Sequence, residues 1–167
     1  MNKGHRETET YIFFYGSIFS QWAVRNITID ETIYNCCEQF MMAEKARLFK
    51  DDYAFEKIMS SNDPSVQKSW GRKIKKFDKE KWEKVAQKIV YEANYAKFTQ
   101  HEDLKQILLN TKNKIIVEAS PYDKIWGVGL GKNDPKILDP KNWKGTNWLG
   151  EAIMKVRETI LQRDNDV

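Results

Sequence analysis

Ten mostly polar residues open the chain, and the run Tyr-Ile-Phe-Phe-Tyr at 11–15 then predicts a buried strand after a flexible start. From 27 to 34, ITIDETIY alternates apolar and polar positions on both sides of Asp30-Glu31. That pattern predicts a short hairpin, although Asp-Glu is not a favoured turn pair. Between Cys36 and Phe49 the period becomes helical, with Cys37, Phe40, Met41, Ala43, Leu48 and Phe49 at the apolar positions. A second helix is predicted from Tyr53 to Met59. Asp63-Pro64 reads as a cap followed by proline at the first helical position, and Gly71 as the end of that helix. The strongest helical signal spans 79–98, where Trp82, Val85, Ala86, Ile89, Val90, Ala93 and Ala96 fall three and four residues apart. Leu104, Ile107 and Leu108 mark another helix, and KIIVEA at 114–119 a second clear strand that Pro121 stops. The stretch 131–145, rich in Gly, Pro, Asn and Asp, reads as loop. Thr146 or Asn147 then caps a last helix carrying Leu149, Ile153, Val156 and Ile160. The pattern predicts an α+β fold: one helix-dominated domain with a small β-sheet over 11–162, a flexible N-terminus at 1–10 and a polar tail at 163–167.

Composition narrows the class. The 167 residues are 41% hydrophobic and 31% charged, which fits a globular chain rather than a disordered one. No apolar run approaches the ~18 residues of a membrane span, and the first ten residues lack the apolar core of a signal peptide, so a cytoplasmic protein without membrane contact is expected. Cys36 and Cys37 are the only cysteines and His5 and His101 the only histidines. A zinc enzyme, a thiol protease or a Ser-His triad needs residues this chain does not supply, and the cysteines are expected as buried apolar filler. The net charge is +4, and its densest cluster is Lys68, Arg72, Lys73, Lys75 and Lys76. This cluster is either a solvated face or a surface for phosphate or nucleic acid.

Polar groups interrupt the pattern in four places. Glu38, Met42, Lys45 and Phe49 share one helix face, with Glu38 and Lys45 two turns, roughly 10 Å, apart. Either both heads reach water from the edge of the core, or the stripe is a cleft floor with a carboxylate at one end and a cation at the other. In such a stripe, desolvation raises the pKa of Glu38 while Lys45 opposes the rise. In "VEASPYDKIWGVGL" (117–130), Asp123 follows the strand, Trp126 offers a face for stacking, and Gly127 and Gly129 let backbone approach a ligand. The plainer alternative is that Asp123 caps a turn and Trp126 is core. Gly71-Arg72 can hold a phosphate through the guanidinium, or simply stop a helix. "GTNWLG" (145–150) places a helix N-terminus where free N–H groups favour an anion, while capping alone also explains Asn147. Together these groups point to a pocket for a phosphorylated, ring-bearing ligand, with two carboxylates and no metal.

The blocks "CCEQFMMAEKARLF", "GRKI", "WEKVAQKIVYEANYAKFTQHEDLKQILLNT", "IVEASPYDKIWGVGL" and "WKGTNWLGEAIMKVRETI" occur in an order that resembles the NADAR family, which includes the YbiA-like proteins. The resemblance covers roughly residues 12 to 161. It implies a hydrolase of N-glycosidic bonds that uses no cofactor. Members split the ribose–amine bond of early riboflavin intermediates or remove ADP-ribose from modified guanine in nucleic acid. The implied partners are therefore a phosphorylated ribosyl small molecule or ADP-ribosylated nucleic acid. By the same resemblance Glu38 is the catalytic carboxylate, Trp82 the tryptophan at the start of the long helix, Asp123 the aspartate before "WG", and Gly71 and Arg72 the "GR" pair. Ser20 matches the first residue of an "SN" motif, but Gln21 stands where Asn is usual, and Lys112 replaces a common Gly.

Breaking a ribosyl C–N bond builds positive charge on the sugar, so a carboxylate near that charge and a proton carrier are required. The expectation is that Glu38 moves the proton and Asp123 stabilises the cation or positions water, the reverse assignment staying open. Lys45 and Arg72 then hold phosphate, and Trp82 or Trp126 stacks on the base or braces the ribose. Ser20, Gly71, Gly127 and Asn147 complete the expected substrate contacts. Substrate choice is assigned to the loops 16–26 and 131–145. Two other readings stand beside this one. The first is a non-catalytic module that sequesters ADP-ribose-like nucleotides. The second is a nucleic-acid binder using the Lys68–Lys76 cluster, ranked last because no interleaving of aromatic and basic residues is visible along the chain.

Overall fold

The structure is a computed structural model and describes residues 4–167. In chain order its elements begin with β1 (His5–Glu7), β2 (Tyr11–Phe14), β3 (Ile27–Ile29), β4 (Thr32–Tyr34), α1 (Cys37–Leu48) and α2 (Asp52–Met59). They continue with α3 (Pro64–Arg72), α4 (Lys79–Gln100), α5 (Glu102–Asn110), β5 (Ile115–Glu118) and α6 (Trp148–Asn165). Among the described residues the fold is therefore helix-dominated α+β, as the periodicity predicts, with two small sheets where one was expected. The chain forms two compact units, one of residues 21–100 and one of residues up to 20 with 101–167.

In the second of these, the sheet order is β1-β2-β5. β2 runs parallel to β5, with Tyr11 beside Ile115 and Phe14 beside Glu118. A parallel pair cannot be closed by a tight turn, which is why β2 and β5 lie so far apart in sequence. Phe13, Val117, Ala119, Val128, Leu130 and Ile137 form a core cluster, with Tyr11 and Trp143 packed against it. The opening residues depart from the flexible start expected of them: His5–Glu7 pair antiparallel with β2, and the His5 ring stacks on Phe19 at 5.0 Å. The loop 131–145 contains two 3-10 turns, each begun by a proline behind an aspartate cap, Asp134-Pro135 and Asp139-Pro140. α6 continues to Asn165, into the segment read as a tail.

In the other unit, α1 packs against α2, α3 and α4. The hairpin β3–β4 forms as predicted and is tied to the end of α4, where Thr28 N donates to Gln100 Oε1 (2.9 Å) and Gln100 Nε2 to Thr28 O (2.8 Å). Its turn requires left-handed backbone at both central residues, Asp30 (φ 48°) and Glu31 (φ 64°), which Asn-Gly adopts at far lower cost. Replacing Asp30-Glu31 by Asn-Gly is expected to raise stability by about 1 kcal/mol, read as a shifted urea midpoint at unchanged slope. α3 does not stop at Gly71 but runs through Arg72. The glycine serves close approach instead: a Cβ there would collide with the thioether of Met42 on α1 and lie 3.1 Å from its Cγ.

Candidate active site

In the unit of residues 21–100, α1 begins at buried residues. Cys36 supplies no capping side chain, and the carbonyl of Gln21 accepts from Glu38 N (3.0 Å) instead. Gln39 reaches back to accept from Asn35 N (2.7 Å). The Gln21 side chain is itself fixed, its Oε1 accepting from Asn94 Nδ2 at 2.8 Å, so the residue that departs from the expected Asn helps hold the start of α1. Glu38 lies in this first turn, only 6% exposed, where the helix dipole favours a carboxylate.

Two turns on, Lys45 donates to the Gly71 carbonyl (2.9 Å) and sits over the rings of Phe77 (4.5 Å) and Trp82 (5.8 Å). Burial pulls the Lys45 ammonium below the usual lysine range; the Glu38 carboxylate opposes this, and the Arg72 guanidinium adds to it. The structure thus brings Glu38, Lys45, Gly71, Arg72 and Trp82 into one neighbourhood, with Arg72 exposed and Trp82 buried. A buried carboxylate, two cations and an indole can accept a proton, hold an anionic group and brace a ring.

The lowered pKa of Lys45 has a definite pH signature. Its charged form carries a burial penalty in the folded state, present below the folded pKa and relieved as pH rises from there to the ordinary 10.5, so this group's contribution to stability increases across that window. Anion binding runs the other way. Affinity for an inorganic phosphate anion seated at Lys45 is expected to fall with pH before an ordinary lysine would titrate, and Lys45→Met is expected to remove that limb from a pH–affinity profile.

Sequence reasoning missed Phe77, which walls Lys45 and meets Phe49 edge-on at 5.4 Å. It also missed Lys97, which is fully buried and whose pKa burial lowers against the favourable pull of Cys37 and Cys36. The signal was available: Asn94 and Lys97 lie four and seven residues beyond Val90, on the stripe that α4 turns inward. The cysteines are buried as expected, and Cys36 is hydrogen-bonded as well as packed. Cys36 Sγ donates to Gln67 Oε1 (3.2 Å), and burial pushes its thiol up to about 12.

The remaining expected residues lie in the other unit. Asp123 Oδ1 accepts from both Ile125 N (2.9 Å) and Trp126 N (2.8 Å), so this oxygen shapes the turn. Trp126 is half-buried, edge-on to Trp148 at 5.6 Å. Gly127 is buried, and a Cβ there would lie 3.0 Å from the carbonyls of both Asp123 and Glu118. Ser20 closes a turn through its N–H to Ser17 O (2.9 Å).

Two expectations at the start of α6 are corrected. Asn147 has left-handed backbone (φ 53°) and makes no capping bond; its amide instead serves β5, accepting from Glu118 N (2.9 Å) and donating to Ile116 O (3.0 Å). The N–H groups of Asn147, Trp148 and Leu149 donate to the carbonyls of Gly127, Ile125 and Trp126, so these three donors serve the preceding loop and not an anion. Among the described residues no three His, Cys, Asp or Glu side chains gather as metal ligands do, and no helix is long and apolar enough to cross a membrane.

The NADAR domain model matches residues 7–161. N-glycosidase R617 of Acanthamoeba polyphaga mimivirus is 42% identical over 169 residues, covering 93% of this chain and 99% of that protein. N-glycosidase YbiA of Escherichia coli (strain K12) is 30% identical over 161 residues, covering 93% and 92%. The NMR structure of the E. coli protein YbiA superposes with a TM-score of 0.79 at 29% identity, over 99% of this chain and 93% of that one.

Proposed function

We propose that this chain, which belongs to the NADAR domain family, shares the N-glycosidase activity for which its mimivirus and E. coli relatives are named, and that the bond it hydrolyses joins a phosphorylated ribose to a nitrogen base. One observation carries the proposal: Lys45, half-buried over Phe77 and Trp82, is flanked by the charges of Glu38 and Arg72. The cations offer a seat for phosphate, and the buried carboxylate lies in the same neighbourhood.

In the proposed reaction the oxygen of water bonds to the anomeric carbon, the C–N bond breaks with its electron pair leaving on nitrogen, and charge builds on the ribose in between. Glu38 takes the proton from water or delivers one to the departing nitrogen. Lys45 and Arg72 keep the phosphate end fixed, so the anomeric carbon meets the carboxylate in one orientation. Trp82 braces the ring. Asp123 is assigned only what its own unit offers, a carboxylate with one oxygen committed to the turn.

Two substrates fit this chemistry: a ribosylaminopyrimidine phosphate of the riboflavin route and ADP-ribose attached to guanine in nucleic acid. The test is to incubate the chain with each, reading ribose 5-phosphate from the first and free ADP-ribose from the second. Turnover of one identifies the substrate. Silence on both, with saturable binding of ADP-ribose, would replace the enzyme by a sequestering module.

A further inference from the structure

Phe77 stands where burial alone does not demand a phenyl ring. The ring is 46% exposed, yet the Lys45 ammonium lies over it at 4.5 Å and the Phe49 ring meets it edge-on at 5.4 Å. Lys45 and Phe49 are four residues apart and share one face of the first turns of α1 that reach this connection, so Phe77 covers that face from the segment between α3 and α4.

That segment is held at both ends. On the α3 side Ile74 is buried, and Lys75 N donates to Asp51 Oδ2 (2.9 Å). On the α4 side Asp78 caps the helix, its Oδ1 accepting from Lys81 N (3.2 Å) and its carbonyl from Trp82 N (3.0 Å). Between these anchors Lys76 takes left-handed backbone (φ 58°), which costs free energy in any residue with a Cβ. The strained residue directly precedes Phe77. A turn that keeps strain and leaves a phenyl ring half in water gains little from packing, and strain of this kind gathers at functional sites.

What the ring meets is a cation. Lys45 Nζ also donates to Gly71 O (2.9 Å) and faces the Trp82 ring (5.8 Å), so groups from three segments restrain one flexible side chain. The charges acting on it come from Glu38 on its own helix and Arg72 on α3, while α4 brings the Trp82 indole. The Gly71 carbonyl engages one of the three N–H donors of the ammonium, and ring faces compete for the others far less than an anion does. An anion therefore meets donors whose direction is already set, on a side chain with little freedom left to lose.

We propose that Phe77 is a positioning residue for the phosphate seat: its ring holds the Lys45 ammonium in the binding direction and keeps water from that side of it. The proposal rests on the reading of Lys45 as a seat for phosphate. Phe77 acts through Lys45 and is assigned no contact with the reacting atoms.

The test uses the full chain and inorganic phosphate, titrated by calorimetry from about pH 8 upward, where the dianion keeps its charge. Phe77→Ala is expected to weaken phosphate about fivefold, within the cost of ordering one long side chain on binding. Water then reaches Lys45, so the fall of affinity with pH should move up toward the ordinary 10.5 of lysine. The titration of Lys45 itself, followed by side-chain NMR without ligand, should move the same way. Phe77→Leu keeps an apolar cover without a ring face; its pH limb should stay near the parent's, with affinity between parent and Phe77→Ala. Phe77→Tyr should restore both. In a Lys45→Met background Phe77→Ala should change affinity by less than about twofold, as expected when one residue acts through the other. Tyr53→Ala removes another exposed ring beneath a lysine, Lys57, and should bind phosphate like the parent.

The proposal is overturned if Phe77→Ala binds phosphate as tightly as the parent, or weakens it equally with and without Lys45. Phosphate binding that depends on Lys45 but not on Phe77 sinks this inference alone. Lys45→Met binding like the parent sinks the seat, and this inference with it. A Phe77 effect in a chain that turns over neither ribosyl substrate sinks the hydrolase reading alone.

Discussion

Glu38→Gln is expected to lower kcat by about 10²- to 10⁴-fold, the range that a positioned proton carrier supplies, with KM changed far less. The substitution isolates the charge and the exchangeable proton, because glutamine keeps the volume and the polar reach of the buried side chain. The backbone bond from residue 38 to the Gln21 carbonyl survives the exchange, so the start of α1 should keep its place. The contrast comes from Lys45→Met, which removes a cation proposed to hold phosphate and should act mainly on KM. Circular dichroism and the urea midpoint should match the parent for Glu38→Gln. Turnover within about twofold of the parent would remove Glu38 from the proton-transfer role.

The elements that sequence reading recovered are those whose signal is local. The stripe of α4, the apolar run of β2 and the Asp63-Pro64 start of α3 each follow from residues within a few positions of one another. The Glu38–Lys45 face was legible for the same reason, since two residues seven apart share a helix face whatever surrounds them. What escaped depends on meetings between distant segments. Nothing near His5 announces a strand; it forms because β2 offers an open edge. Phe77 stands on a connection after α3 and reaches Lys45 only once α3 has packed on α1. Asn147 shows the limit most clearly. Its position before an apolar helix is what a cap requires, yet the side chain is used 29 and 31 residues back along the chain, on β5. Local rules name a residue's commonest partner, and here the tertiary partner took precedence.

The same corner of the fold yields the largest expected loss of stability. Gly150, the last residue of the GTNWLG stretch, lies where α6 crosses β5. A methyl at this position would collide with the backbone carbonyl of Ile116 and with the Asn147 amide. Unlike Met42 opposite Gly71, a strand carbonyl has no rotamer through which to retreat. Gly150→Ala therefore pushes α6 off the strand or displaces Asn147, and the second course strands a Glu118 N–H and an Ile116 carbonyl, each costing roughly 1–3 kcal/mol when buried without a partner. Overpacking adds to that, and a total of about 3–5 kcal/mol is expected. In a chain of this size that lowers Tm by roughly 6–20 °C. Glu151→Ala, one residue on and exposed, introduces the same side chain into the same turn and should shift Tm by no more than about 2 °C. Trp126, Trp143 and Trp148 belong to the same unit as Gly150, whereas Trp22, Trp70 and Trp82 belong to the other, so replacing all three tryptophans of one unit by Phe lets fluorescence report the other alone. The loss should register first in the tryptophans of the Gly150 unit. A Gly150→Ala midpoint equal to that of Glu151→Ala would mean that α6 does not bear on β5 as closely as the geometry requires.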